Sequence, residues 1–437
     1  MLRDVLERLD LGLPGSRGRV PLAEAMAAAH TPGVSIALID GGAITETVAA
    51  GVAEAGGARA VTERTLFQAG SISKSVAAAC ALRLVADGVL DLDADVNDRL
   101  TTWRIPAADG WQPRVTLRQL LSHTAGTTVG GFVGYPQGTP VPTVPQLLDG
   151  HGNSLPVVVS GLPGLRFRYS GGGYTVLQQL LADVTGTDFP ALAAELVLGP
   201  AGMSESTFAQ PLPPERAGSA ATGHHPGPVP VPGRWHTYPE MAAAGLWSTA
   251  TDLARFLLAI KTSLSGTPGA LLPRHIAEQM ATAQTDQAPY GLGLALAGPG
   301  EPATIGHSGD DQGFEAHAVL YPGTGQGIVL MTNGFYGSDL IQQIVLPAVA
   351  RAYRWPGPVP APASPAPAAP GRYADFEISP AGDDLLLTAA GQQPLRLHPR
   401  GAGRWAAGSL ALEVWFDNTT LVIEQDGTQT GYPKVNT

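Results

Sequence analysis

Apolar and polar positions alternate at several places along the chain, and the alternation marks strands. Between residues 33 and 50, Val34, Ile36 and Leu38, then Ile44, Thr45 and Val48, flank Gly41-Gly42. This pattern predicts two short strands joined by a tight turn. His317 to Tyr321 and Gly327 to Thr332 are apolar runs joined by Pro322-Gly323-Thr324-Gly325-Gln326, which predicts a hairpin in or near a sheet's interior. Four other stretches read as helices. Val76, Ala79, Cys80, Leu82 and Val85 form a stripe over residues 71–87, closed by Gly88. Leu177, Leu180, Leu181 and Val184 form another over 175–185, closed by Gly186. Asp252 to Leu264 and Ile341 to Tyr353 complete the set.

The pattern breaks at residues 356–370, PGPVPAPASPAPAAP, a run with seven prolines. Such a run forms neither helix nor ladder and behaves as a semi-rigid spacer. Beyond it, Asp384 to Thr388, Pro394 to His398, Ala411 to Phe416 and Leu421 to Gln425 read as strands bounded by Gly, Asp or Asn. The expected organisation is a main domain over residues 1–355, a Pro-rich linker over 356–370, and a small all-β domain over 371–437. That last domain is expected to be a sandwich or half-barrel docked on the first. Two loop-rich stretches, Thr127 to Gly164 and Gly218 to Glu240, interrupt the main domain. Long loops in a compact domain are usually lids or binding walls.

Composition narrows the function classes. The 437 residues are 44% hydrophobic and only 14% charged, against about 25% charged in an average globular chain. There is material for a large core, and too little charge for a solvated disordered protein. Lys+Arg 26 against Asp+Glu 37 gives −11, with no basic run. A net anion without a basic stripe is repelled by phosphate backbones, so no nucleic-acid partner is expected. The single cysteine, Cys80, excludes an intramolecular disulfide and a cysteine-rich metal site. His224, His225 and His236 lack metalloprotease spacing and are expected on a solvated lid, so no metal or cofactor is expected. No uncharged apolar run reaches 18 residues, so no membrane span is expected. The opening MLRDVLERLDLGLPGSRGRV lacks the apolar core of a signal peptide, which predicts a cytoplasmic protein unless a leader has been removed.

The candidate chemistry begins at Gly70-Ser71-Ile72-Ser73-Lys74-Ser75. Ser71 and Lys74 are three apart at the start of a predicted helix, a spacing that puts both side chains on one face. A serine hydroxyl is a weak nucleophile until a base takes its proton. Lysine can serve when burial depresses its pKa toward neutrality. A helix start also points backbone N–H groups at a developing oxyanion. By itself the spacing is a weak signal and far more often describes a serine cap followed by a surface lysine.

The surroundings decide between them. Phe67-Gln68-Ala69-Gly70 and the alanine-rich helix after the serine resemble the serine β-lactamase and penicillin-binding-protein superfamily. The chain is most similar to its class C β-lactamase, D-alanyl-D-alanine carboxypeptidase and family VIII carboxylesterase branch. Thr31-Pro32-Gly33-Val34, Leu120-Leu121-Ser122-His123-Thr124-Ala125-Gly126, Gly199-Pro200-Ala201-Gly202-Met203, and Ala244-Gly245-Leu246-Trp247-Ser248-Thr249 with Asp252-Leu253 resemble that branch's segments, in its order, over about residues 30–350.

The resemblance implies an α+β fold: an antiparallel sheet with helices plus a helical lobe, the site between them. It implies Ser71 as nucleophile, with Lys74 and Tyr169 moving its proton. Tyr169 stands in the Y-x-N position, but Gly171 stands where the asparagine belongs. The missing amide predicts poor β-lactam hydrolysis and room for a bulkier acyl group. His307-Ser308-Gly309 matches the K-T-G or H-x-G motif, and His307 joins the catalytic set. Ser308, Gly309 and Gly171 are implied substrate contacts. The N–H of Asp310 is the implied second oxyanion donor beside that of Ser71. Histidine in place of lysine weakens recognition of a free carboxylate, and Glu315 repels one further if it faces the cleft. His123 is expected to hold a loop, Tyr174 and Cys80 to fill the core.

The function implied is a serine hydrolase that forms an acyl-Ser71 intermediate on an ester or D-residue amide or peptide. Its partner is a small-molecule or peptide acyl substrate, free or carrier-bound. One alternative is a cytoplasmic acyltransferase, or a penicillin-binding-protein-type thioesterase that cyclises or releases a carrier-bound peptide. The C-terminal β region resembles the lipocalin-like module of such thioesterases, which hydrolases also carry. Another alternative is a non-catalytic binding protein on this fold.

Overall fold

Gly41 and Gly42, both at positive φ, turn the chain between β1 (Gly33–Asp40) and β2 (Ala43–Gly51). Four later strands join them: β3 (Ala295–Leu296), β4 (Ile305–Asp311), β5 (Phe314–Tyr321) and β6 (Gln326–Thr332). The antiparallel order is β2-β1-β6-β5-β4-β3. Sequence-distant strands are thus neighbours, Val34 facing Thr332. β3 pairs only with Ile305 and Gly306. The rest of β4, His307 onward, is left for the site.

This computed structural model describes residues 1–11, 19–108 and 110–357, and, further on, 370–374, 376–382, 384–389, 394–401, 404–407, 412–417, 420–425 and 428–435. Most of the proline-rich run, and with it the expected linker, lies outside the described residues.

The helices supply the rest of the core. α1 (Ser73–Ala86) is buried on nearly every side, beyond the single stripe its pattern suggested, because Ala77, Ala78, Ala79 and Ala81 let neighbours close in all round. α2 (Leu117–Leu121) carries a capping box from Thr116 and Gln119. α3 (Gly171–Thr185) is capped by Ser170, whose hydroxyl accepts from Gly173 N at 3.0 Å, and ends at Gly186 in the left-handed region. α4 (Met241–Ala244) packs on α1 and α3. α5 (Ala250–Leu264) starts two residues before its predicted bound, capped by Thr249, and packs Leu253, Phe256, Leu257 and Ile260 at helical spacing. It lies against β1, β5 and β6. The two long loops meet: Tyr135 pairs with Thr237, and Pro136 with His236. His224 is buried, its Nδ1 2.7 Å from Asn333 O and its Nε2 accepting from Ala55 N at 3.0 Å. It is a structural bridge where a solvated lid was expected.

A second compact unit gathers Asp4–Ala25 with Ser338–Thr437. Its helix α6 (Leu346–Ala352) falls within the predicted helix. Eight strands follow in a meander of sequence order: β7 (Gly371–Tyr373), β8 (Phe376–Ala381), β9 (Asp384–Ala389), β10 (Leu395–Gly401), β11 (Arg404–Ala407), β12 (Leu412–Asp417), β13 (Thr420–Gln425) and β14 (Thr428–Pro433). Tyr373 bridges to Lys434, and Val435 N donates to Arg372 O at 2.8 Å, so the last strand returns to the first. This return covers part of the sheet's two edges, and Tyr373, Ile378, Leu397, Trp405, Val414 and Leu421 fill the interior. The region is a nearly closed barrel where the alternation predicted a sandwich or half-barrel. Pro380, Gly431 and Pro433 hide two of its strands from a pattern search. Within this unit His398 reaches Asp384 at 3.0 Å through Nδ1 and Asp339 at 2.5 Å through Nε2.

Candidate active site

Ser71 lies on a short 3₁₀ turn, Gly70–Ile72, one step before α1. The segment after α4 pins that turn. Ala69 N donates to Leu246 O at 2.8 Å, and Leu246 N donates to the Ser73 hydroxyl at 3.0 Å. Gly70 has φ +50°, and a Cβ there would lie 2.4 Å from Asp310 N. A Cβ on Gly309 would lie 1.9 Å from Ala69 O and 3.1 Å from Ser71 N. Only glycine fits either place. The serine turn and β4 therefore run in direct backbone contact, with the N–H groups of Ser71 and Asp310 on the two facing segments. Ser308 and Asp310 are exposed on the opposite face of β4 from Gly309.

Lys74 follows one helical turn after Ser71. It is 2% exposed, and its Nζ donates to Ser71 Oγ at 2.9 Å and to Ala243 O at 2.9 Å. Burial disfavours its charged form and lowers its pKa to about 7, with the charge of Asp311 pulling the other way. Lys74 Nζ also lies 4.9 Å from the centroid of the Tyr169 ring. Burial raises the Tyr169 phenol above its ordinary range, and its hydrogen bond with the Ser71 hydroxyl works against that. The three side chains the sequence selected are therefore together.

Two histidines flank them, both uncharged at neutral pH. His307 Nδ1 lies 2.5 Å from Ser308 O, and Nε2 lies 3.0 Å from the Tyr290 hydroxyl. This pairing assigns the proton to Nδ1, with Nε2 accepting from Tyr290. Burial, then the charge of Lys74, lowers His307 to about 4. Both its nitrogens are engaged, so it stands as a neutral wall. His123 accepts from Ser170 N at 3.0 Å through Nδ1, and its backbone carbonyl accepts from Arg168 N at 2.8 Å. It stacks on Tyr169, ring centroids 4.2 Å apart. It thus holds the Tyr169 segment from both sides, the loop-holding role expected of it.

Tyr290, Asp311 and Phe132 stand in no motif and carried no signal of a site role. Tyr290 is buried among Phe167, Tyr169 and His123. Asp311 is buried, with the Gly70 N–H and the Tyr238 hydroxyl beside its carboxyl acting to lower its pKa. Burial, then the charge of Asp310, pushes its pKa well up. Phe132 corrects an expectation. A Cβ on Gly171 would meet its ring at 2.8 Å and Gly130 O at 3.1 Å. The space left by the missing amide is filled, so it offers no room for a bulkier acyl group. Glu315 is buried, with its Cβ near Gly337, and its backbone carbonyl accepts from the Thr332 hydroxyl at 3.1 Å. Tyr174 fills the core as expected, its hydroxyl donating to Leu121 O at 2.9 Å. Among the described residues no helix is long and apolar enough to cross a membrane.

Known proteins resemble this chain in sequence and fold. The family model for Beta-lactamase matches residues 22–352. Esterase EstB of Burkholderia gladioli is 31% identical over 66% of this chain and 82% of its own length. Penicillin-binding protein 4 of Amycolatopsis lactamdurans is 27% identical over 72% of this chain and 85% of its own. Among solved structures, SurE is 25% identical with a TM-score of 0.63, covering 94% of this chain and 97% of that one. SurE has also been solved with D-Leu. With the family model matching residues 22–352, most of its length, the chain belongs to the Beta-lactamase family of serine hydrolases.

Proposed function

We propose that the chain forms an acyl-Ser71 intermediate on an ester or on a D-residue amide or peptide, and hydrolyses it. The observation that carries this reading is the 2.9 Å contact between Ser71 Oγ and the buried Lys74 Nζ, with the lysine held near neutrality. Neutral Lys74 takes the Ser71 proton as Oγ attacks the carbonyl. The N–H groups of Ser71 and Asp310 receive the oxyanion. Tyr169, a phenol and not a phenolate at neutral pH, passes the proton from Lys74 to the leaving group. Water then enters along the same path and releases the acid. His307 is assigned the positioning of Tyr290 and the cleft wall, Ser308 the exposed edge beside the leaving group. The 31% identity to an esterase supports the ester substrate, and the likeness to a protein solved with D-Leu supports a D-residue.

A second reading keeps the acyl-enzyme and changes what resolves it. An amine attacks in place of water, as in an acyltransferase or a thioesterase that cyclises a carrier-bound peptide. It is favoured by the neutral His307 wall, which does not repel an ammonium group as a lysine would. Turnover of an activated ester with increasing amine separates the two. Hydrolysis predicts free acid throughout; transfer predicts amide that grows with amine at constant ester consumption. No consumption of any activated ester would overturn both.

A further inference from the structure

Tyr238 lies near the end of the second long loop, just before α4, and is fully buried. Gly134 of the first long loop closes on its ring: φ there is +66°, and a Cβ would lie 2.6 Å from Tyr238 Cζ. The two loops are also paired at the neighbouring residue, Thr237 with Tyr135. The ring is thus held between them, and its hydroxyl has a defined direction. Gln312 N donates to that hydroxyl at 3.0 Å. A backbone N–H only donates, so the oxygen accepts there and the phenol's own proton is left for another acceptor. Burial and the charges of Asp311, Asp310 and Glu240 hold the phenol protonated, well above its ordinary range. It is therefore a donor.

Its acceptor is the Asp311 carboxyl, at the end of β4. Beside the same carboxyl lies the N–H of Gly70, the residue before the nucleophile. Asp311 thus stands between the second loop and the serine turn, and its charge acts on Lys74. Burial, then the charge of Asp310, works against an ionised Asp311, while Lys74, the Gly70 N–H and the Tyr238 hydroxyl work for it. Phe314, its partner on β5, brings no charge. A carboxyl balanced between opposed effects is one whose ionisation a single hydrogen bond can decide. Around Lys74, Asp311 is joined by His123 and His307, which the lysine's charge helps to keep neutral.

We propose that Tyr238 is a positioning residue of the reaction: its hydroxyl keeps Asp311 ionised near Lys74, and through that carboxylate it sets the protonation of the base that activates Ser71. The inference rests on the serine-hydrolase reading above and adds a residue of the second long loop to the control of its base.

The test reads the pH midpoint of kcat/KM for p-nitrophenyl acetate on the full chain. Each variant is scaled to its own plateau, so a loss of active protein does not move the midpoint. In Tyr238→Phe the carboxyl loses a donor and takes up a proton, and its attraction on the Lys74 proton falls. The midpoint is expected to move to lower pH, by up to about one pH unit. Asp311→Asn is expected to move it the same way and at least as far. The double variant is expected to match Asp311→Asn alone, because Tyr238 acts through that carboxyl. 3-Fluorotyrosine placed at position 238, a stronger donor of nearly the same size, is expected to move the midpoint to higher pH, and serves if the phenylalanine variant does not fold. Unmoved midpoints in the Tyr238 or Asp311 variants, or additive shifts in the double variant, would overturn the assignment of Tyr238. Failure of wild type to turn over the ester at any pH would instead overturn the hydrolase reading.

Discussion

Lys74 has two hydrogen-bond acceptors and almost no water, so a proton on it is costly. Its pKa lies at about 7, below that of an ordinary lysine. The lysine is the base only when neutral. Acylation, read as kcat/KM for an activated ester, should therefore rise with pH, reach half its maximum near pH 7, and level off above. Asp311 attracts the proton on Lys74 and so raises its pKa. Asp311→Asn removes that attraction and should move the midpoint to lower pH. An unmoved midpoint would show that the carboxyl does not act on the lysine. Lys74→Ala and Tyr169→Phe should each cost several orders of magnitude, and the double variant little more, because both residues serve one proton transfer. Additive losses would place them in separate steps. Ser71, Lys74 and Tyr169 were legible because two sit one helical turn apart and the third lies in a motif. Tyr290 and Phe132 were not. Each reaches its partner through loop geometry, and an isolated aromatic in a loop reads as core.

At the scale of elements, the site depends on how closely β4 approaches the serine turn. Gly309→Ala would put a methyl 1.9 Å from Ala69 O, a backbone atom that cannot swing away. Overpacking of this kind costs about 1–3 kcal/mol. The variant should lose stability in urea and also lose acylation rate, since the strand and the nucleophile separate. Full acylation with reduced stability would detach β4 from the oxyanion. The hairpin β5–β6 and helices α1, α3 and α5 were legible to within a few residues, since apolar spacing follows the buried faces. The full start of α3 was not: its first turn is Gly171-Gly172-Gly173, a weak helix sequence that tertiary packing overrides.

At the scale of the molecule, the second unit carries its own pH dependence. Burial works to lower the pKa of His398, but the hydrogen bonds and charges of Asp339 and Asp384 outweigh it and raise it to about 9. A histidine whose folded pKa exceeds its unfolded one stabilises below the unfolded value and loses that contribution as pH rises through the folded value. The contribution of this group, about 3 kcal/mol at its fullest by that linkage, should be complete below pH 6.5 and lost as pH rises through about 9. Thermal melts of wild type and His398→Phe should converge at high pH. Melts that differ equally at pH 6 and pH 10 would contradict the imidazolium bridge. Deleting residues 356–437 removes His398 from Asp339 and should lower the melting temperature, while Ser71 still reacts with a small activated ester. Half the barrel strands were readable from alternation; its closure was not, because it rests on pairing between the first and last strands, which local pattern does not encode.

The central claim is that Ser71 is the nucleophile, and intact-protein mass spectrometry after treatment with a fluorophosphonate tests it most directly. One adduct per chain is predicted, mapped by peptide digestion to Ser71, formed faster as pH rises through about 7 and absent from Ser71→Ala. An adduct on another residue, or equal labelling of the Ser71→Ala variant, would contradict the account.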